Sequence, residues 1–145
     1  MRAEDIPSLL EIKSLSGTPL WTRGMFEAEL DLPASLALVA LNDDRPVAFA
    51  AARTVLGTVH LIELAVHSGF RERGIGRKLL GHLTGLARKK GCKKMELEFR
   101  EDNLPAQGLY ASAGFEKVGR RKGFYETLEN GKKTRKDAVL MSCDI

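Results

Sequence analysis

Apolar and polar positions change period several times along the chain, and each change predicts an element. Asp5-Ile6-Pro7 followed by Leu9, Leu10 and Lys13 reads as a helix start, and a second helix runs from Thr22 through Phe26 to Leu30. Leu36–Leu41 and Val47–Val55 flank the turn Asn42-Asp43-Asp44-Arg45 and predict a two-stranded hairpin; a third β-rich run, Thr58–Val66, follows. Ile75, Leu79, Leu80, Leu83, Leu86 and Ala87 then recur at helical spacing, and the cationic end Arg88-Lys89-Lys90 is stopped by Gly91. Met95, Leu97 and Phe99 alternate with Glu96, Glu98 and Arg100, the period of a strand. Asn103 can cap a short helix running through Ala113, with Pro105 in its first turn and Gly114 ending it. Phe115–Val118 and Ala138–Cys143 read as two final strands joined by a long polar connection that contains Glu129-Asn130-Gly131-Lys132-Lys133. This order predicts an α+β fold with a central β-α-β crossover and without internal repeats.

Composition narrows the class. With 145 residues, 43% of them hydrophobic, the chain is expected to close one core as one domain. It has no apolar run near the roughly 18 residues of a membrane span, and Met1-Arg2-Ala3-Glu4-Asp5 lacks the apolar centre of a signal peptide; a cytoplasmic location is expected. Cys92 and Cys143 lack a CxxC or histidine companion at metal spacing and read as packing residues, so no metal is expected. His60, His67 and His82 are not spaced for a triad or a metal site. The net charge of +4, with a pI near 9.2, would suit nucleic acid, a ribosome or a polyanionic cofactor, and charge alone does not choose among them. No recognised nucleic-acid motif accompanies it, so direct nucleic-acid binding is not expected.

Arg71-Glu72-Arg73-Gly74-Ile75-Gly76-Arg77 sits between a predicted strand and a predicted helix. Glycines there let backbone amides approach an anion at the helix N-terminus, and the arginines offer donors suited to phosphate oxygens. The segment is neither a Walker A loop, which needs Gly-Lys-Ser/Thr, nor a GxGxxG fingerprint, which needs a third glycine. Its R-x-x-G-x-G pattern after a strand ending Leu64-Ala65-Val66 resembles motif A of the GNAT superfamily of acyl-CoA N-acyltransferases, and the element order resembles that fold over nearly the whole chain. The short strand that usually opens the fold has almost no residues before Ala3. The resemblance implies acetyl-CoA as cosubstrate, its pyrophosphate held by residues 71–77 and the ligand also paired with backbone at Leu64, Ala65 and Val66.

Acetyl transfer to an amine requires a sink for the amine's proton and a proton or dipole for the leaving thiolate. Glu98 lies on the charged face of its strand, which suggests an open cleft or an edge. Tyr110 falls seven residues after Asn103, nearly two helical turns, so the two share a helix face; Asn103 also suits a plain N-cap and Tyr110 a packed aromatic. Glu98-Phe99-Arg100-Glu101-Asp102-Asn103 and Leu109-Tyr110-Ala111-Ser112-Ala113-Gly114-Phe115 resemble the E-V-R-x-x-N and L-Y-x-x-x-G-F signatures of the RimI-like enzymes within that superfamily. This implies Glu98 as general base, Asn103 as a cofactor contact and Tyr110 as general acid. Glu63 is a rival base, because other superfamily members place a carboxylate on that strand.

On the acceptor side, Pro19-Leu20-Trp21-Thr22 with Phe26 resembles the P-W-S/T pattern of RimI-like proteins, where the first helices line a peptide groove; Trp21 equally suits the core. Arg121-Lys122-Gly123-Phe124-Tyr125 resembles their R-x-x-Y-Y element, with Phe124 in place of one tyrosine and a longer, more basic connection after it. Trp21, Glu63 and Tyr125 are thus the acceptor-side candidates. The resemblance implies a protein N-terminus as acceptor, in particular the N-terminal alanine of a small-subunit ribosomal protein. Competing readings are an acetyltransferase of a small amine or lysine side chain, and a non-catalytic coenzyme A-binding regulator or ribosome-associated module.

Overall fold

The structure is a computed structural model that describes residues 1–15 and 21–145. The predicted Pro19 and Leu20 of the acceptor motif lie outside the described residues. Helix α1 (Ile6–Ser14) buries Ile6, Leu9, Ile12 and Lys13; Pro7 sits in its first turn, where its missing N–H is harmless. Asp5 does not cap α1 with its side chain, because its carboxylate accepts from the Arg2 amide in a preceding 3-10 turn. Helix α2 (Arg23–Asp31) is capped by Thr22, whose hydroxyl accepts from the Met25 amide at 3.3 Å.

Six strands form one sheet in the order β1-β2-β3-β4-β6-β5: β1 (Ser35–Asn42), β2 (Arg45–Val55), β3 (Thr58–Val66), β4 (Lys94–Arg100), β5 (Glu116–Glu129) and β6 (Lys132–Asp144). All neighbours are antiparallel except β3 and β4, joined through α3 (Ile75–Lys89), which is the expected crossover. Helix α4 (Leu104–Ser112) links β4 to β5. Alternation along β2 divides its buried side chains between two cores. Ala50 and Ala52 pack with Leu80, Leu83 and Tyr110 on the α3–α4 face, whereas Phe49 and Ala51 pack with Ile6, Leu9 and Phe26 on the α1–α2 face.

Two local irregularities create the cleft. Ala52 pairs with Leu61 and Ala51 with Glu63, so Ile62 is an extra residue bulged out of β3. The bulge reverses side-chain phase: Val59 and Leu61 belong to the α3–α4 core, and beyond it Leu64 takes that face while Ala65 turns to the α1–α2 core. Pairing of β3 with β4 ends at Leu61 and Leu97, after which β3 follows β2 and β4 follows β6. The parted strands leave a gap in the middle of the sheet.

The last two strands differ from expectation. The expected short strands Phe115–Val118 and Ala138–Cys143 with a long polar connection are instead one long hairpin, β5 and β6, closed by Asn130-Gly131 at φ +52° and +74°. An Asn-Gly pair suits the type I′ turn that matches strand twist. The ribbon escapes a hydrophobic-pattern reading because no residue between 116 and 137 is buried.

Candidate active site

The gap opens into a cavity of about 440 Å³ walled by β3 (Leu61–Leu64) and β4 (Leu97–Arg100), with Asn103, Tyr110, Trp21, Met25 and Tyr125 around it. A second groove of about 490 Å³, with Glu96, Val118 and Arg121 in its walls, shares Leu61, Ile62, Leu97, Glu98 and Tyr125 with the first. The two spaces are therefore continuous at Glu98 and Tyr125.

Alternation on β4 decides what each face offers. Leu97 and Phe99 point into the α3–α4 core, so Glu98 points to the other, uncovered face. Its side chain is 32% exposed, and Oε2 lies 3.3 Å from Nη1 of Arg121 on β5; its other oxygen has no partner among the described residues. Tyr110 approaches the gap from the opposite face. Its ring packs between Phe99 and Phe115 at 5.6 and 5.8 Å, and the residue is 7% exposed. Burial pushes its phenol well above the ordinary tyrosine value, and the carboxylate of Glu63 and the neighbouring Tyr125 add to the rise. The phenol thus keeps its proton at neutral pH.

Asn103 does two things. Its Oδ1 accepts from the Ala106 amide at 3.2 Å and caps α4, and the residue also lines the cavity, leaving its NH2 group as the donor available there. Trp21 likewise serves both alternatives: it packs tilted against Phe26 at 4.9 Å and edge-on against Phe49 at 6.1 Å in the α1–α2 core while forming part of the cavity wall. Tyr125 is half-buried at the acceptor end, and its phenol is also raised, by burial first and then by Glu98 and Glu63, against the opposing pull of Arg100 and Arg121.

Glu63 is already engaged. The bulge at Ile62 turns it toward α1, where Nζ of the fully buried Lys13 donates to its Oε2 at 2.5 Å. This partner went unrecognised in the sequence, although Lys13 falls four residues after Leu9 on the apolar stripe of α1, a place where a solvated lysine does not belong.

The segment from Arg71 to Arg77 begins with an extended backbone and ends in α3. Gly74 is the N-cap at φ +74°, and Glu72 is also left-handed at φ +61°. The first backbone bond of the helix is from the Lys78 amide to the Gly74 carbonyl at 3.1 Å, so the amides of Ile75, Gly76 and Arg77 precede it and point out of the helix end. A Cβ on Gly76 would meet Leu109 and Leu64 at 3.4 Å each, so glycine lets α3 sit close to β3 and α4. A pyrophosphate fits these amides by charge and geometry. The arginines brace the loop: Arg71 donates to the carbonyls of Val66 at 3.2 Å and Leu15 at 3.3 Å, and Arg77 donates to the Ser112 hydroxyl at 2.6 Å. Arg73 lies over the ring of Phe70 at 5.0 Å.

A further cluster without a sequence signal holds the base of the β5–β6 hairpin. Arg120 bridges Glu101, at 2.6 Å, and Asp137; Asp137 in turn accepts from the Gly123 amide at 2.8 Å. The partners lie 14 to 36 residues apart, and together they fix the irregular stretch between Arg121 and Tyr125 that carries Phe124 and Tyr125 to the cavity.

Among the described residues, a mixed sheet parted at its one parallel pair, with a phosphate-suited helix end beside the gap and Glu98 and Tyr110 lining it from opposite faces, is an arrangement suited to group transfer from an anionic carrier. Residues 6–115 match the model of the acetyltransferase (GNAT) family, and the chain belongs to that family; it is an acetyl-CoA-dependent N-acetyltransferase. It is 32% identical over 142 residues, 97% of this chain and 90% of the relative, to a putative [ribosomal protein bS18]-alanine N-acetyltransferase of Bacillus subtilis. It is also 32% identical, over 97% of this chain and 92% of the relative, to the [ribosomal protein bS18]-alanine N-acetyltransferase of Salmonella typhimurium. The crystal structure of the ribosomal-protein-S18-alanine N-acetyltransferase from Escherichia coli superposes with a TM-score of 0.89 at 28% identity, covering 100% of this chain and 90% of that one. Among the described residues no helix is long and apolar enough to cross a membrane.

Proposed function

We propose that this protein, acting as one domain, transfers the acetyl group of acetyl-CoA to the N-terminal α-amino group of a protein, the acceptor being the N-terminal alanine of a small-subunit ribosomal protein. The observation that carries this reading is the placement of Glu98 and Tyr110 on opposite faces of the sheet, each lining the gap beyond Leu61 and Leu97. The names of the similar enzymes from Salmonella typhimurium and Escherichia coli support the choice of acceptor.

The chemistry follows from that placement. Amides at the N-terminus of α3 hold the pyrophosphate, and backbone at Leu64, Ala65 and Val66 aligns the pantetheine so that the thioester reaches the gap. The amide NH2 of Asn103 adds a donor on the cofactor side. From the uncovered face, Glu98 takes a proton from the acceptor ammonium, directly or through one water, and the freed amine attacks the thioester carbonyl. Tyr110, a phenol protonated at neutral pH and kept so by burial, gives its proton to the sulfur as the C–S bond breaks, and the second proton of the attacking nitrogen, released as the amide forms, restores the phenol. Trp21 and Tyr125 wall the acceptor end. Glu63, held by Lys13, contributes a fixed carboxylate there, and Glu98, with one oxygen unpartnered, is the base.

The test is mass spectrometry of acetyl transfer to two matched peptides, one with a free N-terminal alanine and one N-blocked with an internal lysine. The first alone is expected to gain 42 Da, as about one acetyl group. Modification of the lysine peptide, or of neither, would move the acceptor to a side chain or a small amine.

A further inference from the structure

The part of the β5–β6 hairpin from Arg120 to Lys136 concentrates the protein's positive charge. Between Arg120 and Lys136 there are seven basic and two acidic residues, a net +5 against +4 for the whole chain, so everything outside this stretch sums to −1. The basic side chains at the base of the hairpin are neutralised by the body of the protein, Arg120 by Glu101 and Asp137, and Arg121 by Glu98. Those further out are not. From Lys122 to Lys136 there are five basic and two acidic residues, a net +3.

This outer part is an arm with no packing of its own. Pairing of β6 with β4 stops at Ala138, so Tyr125 to Glu129 pair only with Lys136 to Lys132, a ribbon about 15 Å long. An isolated two-stranded ribbon is marginal in water. Here the acids are used to brace it: Glu126 pairs with Lys133 at 2.9 Å, Glu129 with Lys136 at 2.6 Å, and the hydroxyls of Thr127 and Thr134 bond across the strands at 2.7 Å. Among the described residues no carboxylate lies within ion-pair distance of Lys122 or Lys132, although Lys122 acts on Asp137 from further off. Leu128, 73% exposed, stands among these cations without a core to enter.

In place of the expectation from the missing nucleic-acid motif, we propose that this arm, whose charge is gathered only by the folded hairpin, docks on RNA through its phosphates, while the cleft at the arm's base takes the acceptor N-terminus. The inference rests on the ribosomal acceptor proposed above, since a ribosomal protein presents its N-terminus in the company of RNA. A free basic acceptor would be repelled by the arm, whereas the polyanion beside it is attracted. Same-face side chains along a strand repeat about every 6 to 7 Å, a spacing of the order of that between successive phosphates along a nucleic-acid strand. The arm presents its cations along an exposed ribbon, a linear array that suits the regular charges of an RNA backbone better than the scattered charges of an acidic protein. Because Phe124 and Tyr125 at the root of the arm line the cavity, docking raises the local concentration of the acceptor instead of competing with it.

The test measures fluorescence anisotropy of a labelled single-stranded 20-nucleotide RNA across salt concentrations, on the wild type and on Lys132→Glu/Lys133→Glu, with acetylation of the alanine peptide assayed on the same preparations. Three uncompensated charges give a log–log salt slope of about −2 for a single strand, so affinity falls about 20-fold between 50 and 200 mM salt. The double variant, net −1 over the same stretch, is expected to bind at least about 10-fold more weakly with a slope near zero, and to acetylate the peptide at the wild-type rate. RNA binding unaffected by the variant overturns the proposal, as does a poly-glutamate peptide of equal charge binding as tightly as the RNA. Loss of peptide acetylation by the wild type bears on the acceptor reading, while the anisotropy decides the arm on its own.

Discussion

Lys13 and Glu63 form an ion pair across the interface between α1 and β3, with the lysine 1% exposed and its carboxylate partner at the edge of the cavity. Neutralising the carboxylate removes the counter-charge that Glu63 provides to the buried ammonium. Glu63→Gln is expected to lower unfolding free energy by about 3 kcal/mol, the scale for a buried pair that loses one member. Adding Lys13→Met removes the buried charge whose counter-ion was taken away, so the loss in the double variant should be smaller than the sum of the two single losses. Urea unfolding of the three proteins measures this, and simple additivity of the two losses would show the pair to be energetically uncoupled.

Glu98→Gln and Tyr110→Phe are each expected to reduce kcat by about 100-fold or more, the scale of a positioned proton-transfer group. Acetyl-CoA affinity, read by calorimetry, should stay within about two-fold of wild type, because neither side chain belongs to the pyrophosphate site. A loss confined to acetyl-CoA binding would reassign both residues.

The protein has two tyrosines, Tyr110 and Tyr125, and burial raises both. At about pH 10 an ordinary phenol is half ionised, so the ultraviolet phenolate signal of the folded protein should be well under half of its denatured-state amplitude there. Above that pH the unfolded chain has lost protons that the folded one retains, and stability falls as pH rises. A folded-state titration that overlays the denatured one would show that burial does not raise the two phenols.

Asp137 is held below the ordinary carboxylate range chiefly by the Gly123 amide, with Arg120 adding to the effect. Its contribution to the hairpin base is present above the ordinary aspartate value of about 3.9 and disappears as pH falls through the lowered value. Asp137→Ala frees the stretch that carries Phe124 and Tyr125, and is expected to raise peptide KM several-fold with acetyl-CoA KM unchanged. Equal changes in both constants in steady-state kinetics would point to a general loss of fold.

Much of this protein is decided locally. The order of helices and strands, the turn at Asp43-Asp44, the Gly74 cap and the α3 stripe from Ile75 to Ala87 follow from periodicity and turn chemistry within a few residues, and all appear in the structure. Glu98 on an open strand face and Tyr110 on the same short helix as its Asn103 cap are readable for the same reason. Other features depend on residues far apart. One bulged residue, Ile62, sends Glu63 toward a lysine 50 positions earlier, and the parting of β3 from β4 is set by which neighbour each strand follows. The loop arginines turn to carbonyls and to Ser112, and the polar stretch after Tyr125 closes on itself as a ribbon. Side-chain spacing along the chain carries no information about such partners, because ion pairs, bulges and strand neighbours are selected by tertiary packing and by the energy of leaving a buried polar group unpaired.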